Sequence, residues 1–171
     1  MAKKKTGVNT GSDRLPNRKY VVVSLAAAST TVVYSQFDTM MGAKEGAGWL
    51  VSRVDIQPRA MTDGWMNSMC GSRFQLATGA QTDLLNVDNP AVVATIDVQV
   101  VLVTSGMPVI VFPVTWVGPV LIASRQLSCV VDSTDDLVPL QSMDMLFTIW
   151  YQWVKLGSRE WVEIAEAKGI G

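Results

Sequence analysis

The sequence predicts an all-β protein, an antiparallel sandwich with one short helix at its C-terminal end. Three observations predict it. Val-, Thr- and aromatic-rich runs with period-2 patterning recur from residue 20 to 155. Gly, Pro and Asn/Asp clusters divide them at intervals. A helical period is found only after Ser158.

Taken in order, Tyr20–Gln36 has strand composition, weakest at Ala26, Ala27 and Ala28. The glycines of 41–48 make a loop. Trp49–Gln57 is a strand closed by Pro58. Residues 61–71 form a long, polar, Met-rich connection with Asp63-Gly64 as a turn signal and room for one helical turn. In Ser72–Thr78, Phe74 and Leu76 share one face, with Arg73, Gln75 and Ala77 on the other. A second loop spans 79–90, where Asp88-Asn89-Pro90 stops any helix begun at Asp83. Ile96, Val98, Val100 and Leu102 then alternate with Thr95, Asp97 and Gln99. Ser105-Gly106 predicts a hairpin into Val109–Val117, and Gly118-Pro119 a further turn into Leu121–Val131. Residues 132–139 form an acidic loop. Met143, Met145, Phe147, Ile149, Tyr151 and Trp153 mark one face of a long last strand. Ser158 is the expected N-cap of a helix carrying Trp161, Ile164 and Ala165 on one face and closed by Lys168-Gly169. The count is seven to nine strands. The two long loops favour a sandwich with crossing connections over an up-and-down barrel.

Charge is divided unevenly. Lys3, Lys4, Lys5, Arg14, Arg18 and Lys19 face one acid, Asp13, so residues 1–19 carry about +5 and the remainder −6. This defines a basic N-terminal arm over 1–19 and a single domain over 20–171. An arm of Lys, Gly, Asn, Thr and Ser cannot bury enough apolar surface to order itself. It is suited to nucleic-acid phosphates without sequence preference. It has no interleaved aromatic residues, so base stacking is not expected of it. Only 17% of the chain is charged, and six Trp and nine Met add to a composition suited to contact between copies. Trp65 in the long loop, Trp150 and Trp161 are the candidate subunit contacts. Trp150 and Trp153 have opposite parity, so one faces outward.

Several chemistries are disfavoured. The chain has no histidine, which removes the commonest general base and most zinc sites. It has neither a dinucleotide fingerprint nor a phosphate-binding loop. Asp55, Asp63, Asp97 and Asp144 are too scattered to suggest a glycosidase pair. Asp132, Asp135 and Asp136 offer a calcium reading but lack the glycine and closing glutamate of an EF-hand loop; an acidic turn is expected. Cys70 and Cys129 form no disulfide framework and are expected to be packed thiols. No signal-peptide pattern is present. The uncharged run 98–124 is broken by Gly106, Pro108, Pro113, Gly118 and Pro119, so strands are expected there rather than a membrane span. No cofactor, metal or small-molecule substrate is expected.

The order of features resembles the single jelly-roll capsid proteins of small icosahedral viruses. It consists of the Met1-Ala-Lys-Lys-Lys5 arm, the strand Trp49–Ile56, a long loop, the strand Ser72–Thr78, three Val-rich strands and Met143–Leu156. The resemblance implies eight strands in two facing sheets and self-assembly into an icosahedral shell around the genome. It implies an arm on the inner face, residence in the virion after assembly in host cytoplasm, and contact with other capsid proteins or an internal membrane. The C-terminal helix is not general in that group. The competing readings are a cellular β-sandwich binding module for carbohydrate or protein, with Trp65 as its exposed aromatic, and a jelly-roll enzyme such as a cupin. The lack of histidine weighs against the enzyme.

Overall fold

The computed structural model describes residues 15–26, 31–39, 47–59, 71–99, 114–132 and 143–167. Among these residues lie β1 (Asn17–Leu25), β2 (Val33–Asp38), β3 (Ala47–Pro58), β4 (Gly71–Thr78), β5 (Val92–Gln99), β6 (Val114–Ile122), β7 (Gln126–Asp132), β8 (Met143–Lys155) and the helix α1 (Ser158–Ala167). Sheet 1 has the order β1-β8-β3-β6 and sheet 2 the order β2-β7-β4-β5, and every pairing is antiparallel. First pairs with eighth, second with seventh, third with sixth and fourth with fifth. This is one long antiparallel ribbon rolled over on itself, the wrapping of a jelly roll.

The core lies between the sheets, and in β4, β8 and at Ile96 of β5 it follows the alternation read from the sequence. Val21, Val23, Val51, Val54, Ile56, Met145, Phe147 and Ile149 come from sheet 1; Phe74, Leu76, Ile96, Leu127, Cys129 and Val131 come from sheet 2. Phe74 and Phe147 meet across the sandwich edge to face, with ring centroids 6.3 Å apart. Each fully buried Leu, Ile or Phe contributes about 1.5–3 kcal/mol relative to an exposed one.

Several boundaries differ from the sequence reading. The stretch 20–36 splits into β1 and β2, which lie in opposite sheets. β1 begins at Asn17, because Asn17, Arg18 and Lys19 pair with Tyr151, Trp150 and Ile149. Gly118-Pro119 is no turn but lies within β6. The register to β3 shifts there, with Val51 opposite Val120 and Arg53 opposite Val117. β6 is an edge strand, and an edge bulge tolerates a residue without an N–H. The break comes instead at 123–125. There the Ser124 hydroxyl donates to the Gln126 carbonyl at 2.7 Å, and Thr39 Oγ1 donates to the Ser124 carbonyl at 2.7 Å. Ser105-Gly106 and Val109 lie outside the described residues. The flanking β5 and β6 belong to opposite sheets, so they do not form one hairpin. The part of the uncharged run within 114–122 is strand, and among the described residues no helix is long and apolar enough to cross a membrane.

The cap of α1 lies one residue earlier than expected, and Ser158 is its first helical residue. Gly157 is the capping position, and its N–H donates to Glu160 Oε2 at 2.8 Å, the reciprocal half of a capping box. Arg159 and Glu163, one turn apart, form an ion pair at 2.9 Å.

Candidate interaction surface

Arg18 and Lys19 are neighbours in β1 and therefore project to opposite faces of sheet 1. Lys19 shares the parity of the buried Val21 and Val23 and sits at the rim of the core, its Nζ 5.4 Å from the Phe37 ring centroid. Arg18 is on the outer face, with its guanidinium carbon 3.8 Å from the Trp150 ring centroid. The two basic residues at the end of the arm are thus separated by the sheet. Lys3, Lys4, Lys5, Arg14 and Trp65 lie outside the described residues, and Trp161 falls in α1.

Register builds a row across the outer face of sheet 1. Arg18 of β1 is opposite Trp150 of β8; Trp150 is opposite Arg53 of β3; Arg53 is opposite Val117 of β6. The next row is Tyr20, Thr148, Asp55 and Thr115. Asp55 ties the rows together. Its Oδ1 accepts from Arg53 Nε at 2.6 Å and Thr115 Oγ1 at 2.9 Å, and its Oδ2 accepts from Trp150 Nε1 at 2.9 Å. A carboxylate only 7% exposed is stable there because these donors replace water. Trp150 is therefore the outward tryptophan of the pair, with Arg18 over its ring and Arg53 at 5.8 Å. Tyr20 stands beside it, 56% exposed.

Trp153 has core-facing parity yet is 47% exposed, because β8 runs past the end of β1. It meets Trp49 edge to face at 5.8 Å, and Trp49 stacks on Tyr151 at 3.7 Å. Among the described residues the buried Trp49 Nε1 has no hydrogen-bond partner.

Sheet 2 presents a different outer face, covered by the chain itself. Gln75 and Ala77, on the face opposite Phe74 and Leu76, are fully buried, as are Ser128 and Val130. Loop 79–91 lies over them. Gln75 Nε2 donates to the Leu85 carbonyl, Gln81 N–H donates to Ser128 Oγ, and Ser128 Oγ donates to the Gly79 carbonyl. Gly79 turns the chain onto the sheet with φ of 82°, a conformation that glycine adopts without strain.

The remaining carboxylates serve local structure. Asp97 holds Arg73 through two contacts, at 2.6 and 3.3 Å, which raises the already high pKa of the guanidinium. Asp144 accepts from Ser24 Oγ at 2.7 Å and faces Arg59 at 3.6 Å. Asp132 ends β7, while Asp63, Asp135, Asp136 and Cys70 lie outside the described residues. Among the described residues no group of three or more His, Cys, Asp or Glu side chains is placed to hold a metal ion. Cys129 is fully buried, and desolvation pushes its thiol pKa far up, so it is a protonated core side chain.

No protein-family model matches the chain, and no curated protein matches it. Among solved structures it is similar to a chain of the crystal structure of tomato aspermy virus, at 16% identity over 80% of this chain and 77% of that one, with a TM-score of 0.46.

Proposed function

We propose that this chain is the coat subunit of an icosahedral virus, a structural protein rather than an enzyme, found in the virion. The observation that carries the reading is the eight-strand roll whose first edge strand is entered by a segment with six basic residues against one acid. The roll supplies a rigid block with apolar surface to spare. Val117, Val87, Trp153, Tyr34 and Val162 are each at least 45% exposed. Isolated exposed apolar residues are ordinary, but on a chain this poor in charge they suit burial between copies. Trp65, Trp150 and Trp161 belong to the proposed contacts between subunits. Lys3, Lys4, Lys5, Arg14 and Arg18 would face inward and neutralise genome phosphates, while Lys19, on the other face of the sheet, would serve the rim of the core. The body's net charge of −6 leaves the arm as the attractive part.

The test is electron microscopy and nucleic-acid content of particles made by the full chain and by a chain lacking residues 1–14. That cut spares β1, which a longer one would damage. Closed uniform particles from the full chain and empty particles from the shortened one support the reading. A mass near 18.6 kDa under every concentration and salt refutes the shell role. Failure of the shortened chain to assemble makes the arm a tie between subunits, and unchanged nucleic-acid content refutes its packaging role.

A further inference from the structure

We propose that the corner of sheet 1 formed by Arg18, Tyr20 and Trp150 is a stacking contact for single-stranded nucleic acid. The inference rests on the reading of the arm as the part of the chain that meets nucleic acid. It extends that reading from phosphate neutralisation to the bases themselves.

Four observations converge on this corner. First, charge is left over there. Asp55 is satisfied by Arg53, Thr115 and Trp150, so it does not compensate Arg18. Arg18 has no carboxylate partner among the described residues; it lies instead on the Trp150 ring at 3.8 Å. A guanidinium laid on an aromatic face keeps its in-plane donors free, and that fork matches a phosphate. Second, an exposed ring stands next to it. Tyr20 is two residues along β1 on the same face, diagonal to Trp150 across the β1–β8 pairing, and 56% exposed. A ring beside a cation is the pairing by which single strands are held, with base on ring and phosphate on guanidinium. Third, the corner is continuous with the basic segment. Three residues separate Arg18 from Arg14, so a strand held by the arm arrives at this edge of the sheet. Fourth, the two sheets differ. The outer face of sheet 2 is capped by loop 79–91, whereas Tyr20 on sheet 1 is open.

The chemistry selects single strands. In a duplex the base faces are already stacked, so an exposed ring finds nothing to cover, whereas every unpaired base offers one. No base-edge reading is implied, because stacking tolerates any sequence.

The test compares two probes by fluorescence anisotropy on the full chain at one low salt concentration: a labelled oligothymidylate and labelled inorganic polyphosphate, which has charge but no bases. Tyr20→Ala is expected to weaken oligothymidylate binding about 5- to 100-fold and leave polyphosphate binding unchanged. Tyr20→Trp should restore it. Tyr20→Leu keeps an apolar strand residue without the ring and gives the same loss if alanine lowers stability. Arg18→Ala should weaken both probes and lower the salt slope by about one phosphate. If Tyr20→Ala changes neither probe, or both equally, the stacking contact is refuted while phosphate binding by the arm stands. If the unaltered chain binds neither probe, the nucleic-acid part of the proposed function falls and this contact with it. If Tyr20→Ala prevents particle formation with oligothymidylate affinity intact, the corner is a contact between copies instead.

Discussion

Gln75 and Leu85 exchange two hydrogen bonds across a ten-residue separation. Gln75 Nε2 donates to the Leu85 carbonyl at 2.9 Å, and the Leu85 N–H donates to Gln75 Oε1 at 2.8 Å. This side chain thereby ties the middle of loop 79–91 to the outer face of sheet 2, while Ser128 holds its start at Gly79 and Gln81. Gln75→Ala should cost about 1–3 kcal/mol, since it removes both bonds and leaves a backbone donor and acceptor without partners. Urea unfolding would measure the loss, and limited proteolysis should show faster cleavage within 79–91. An unchanged midpoint and cleavage rate would mean that the loop is held elsewhere.

Asp55 predicts a graded pair of effects. Asp55→Asn places an amide where one carboxylate accepts three hydrogen bonds, so at least one donor among Arg53, Thr115 and Trp150 loses its partner. A loss of about 2–3 kcal/mol is expected. Trp150→Phe removes a single indole N–H from the same network and should cost only about 1 kcal/mol beyond the change in ring size. Equal losses from the two variants would contradict the hub role of Asp55.

Gly118 should tolerate no side chain. A Cβ there would lie 2.9 Å from the Val51 carbonyl oxygen and 2.5 Å from the nearest Trp116 ring carbon. The ring can turn, but a backbone carbonyl paired into the sheet cannot move freely, so Gly118→Ala is expected to destabilise by about 1–3 kcal/mol. Gly157→Ala is the steric contrast: among the described residues its Cβ would meet only Glu160, at 3.4 Å, so its expected cost is that of alanine at a helix cap, about 0.5–1 kcal/mol. Thermal unfolding of the two variants, with the glycine chain beside them, makes the comparison.

Alkaline pH should loosen the fold through its buried acids. Burial raises the pKa of Cys129 from its ordinary value of 9.0 and that of Tyr151 from 10.0. Below pH 9 both states hold the Cys129 proton and stability is unaffected by it. Above that, the unfolded chain releases the proton first, so stability falls as pH rises toward the native pKa. For one group the limiting slope is about 1.4 kcal/mol per pH unit. Denaturation midpoints from pH 7 to 10.5 should therefore decline, and Cys129→Val should flatten the part that begins near pH 9. In the native state Cys129 should resist thiol reagents. Rapid labelling of that thiol, or a midpoint independent of pH, would count against its burial.

Much of the fold was legible because a strand buried on one face writes its burial into alternate residues. Phe74 and Leu76, and Met145, Phe147 and Ile149, carry that pattern without any knowledge of their partners. The pattern failed where a second covering layer exists. Gln75 lies on the face away from Phe74 and Leu76 and is buried all the same because loop 79–91 crosses it, and nothing local in Ser72–Thr78 records that loop. Gly118-Pro119 reads as a turn, since those residues make turns when nothing else constrains them. Only an edge position with a bulge opposite Ser52 lets them continue a strand.

The arm divides in the same way. By itself the sequence determined the charge split, the strand periodicity, the absence of histidine and the C-terminal helix, because each is a property of composition or of near neighbours along the chain. Tertiary structure alone decided that Arg18 and Lys19 part company across a sheet, and that Arg18, Tyr20, Trp150, Arg53 and Asp55 form one surface. Residue 18 meets residue 150 through antiparallel register, and register is set by how the ribbon rolls and which faces are buried in its core, which no short window of sequence contains.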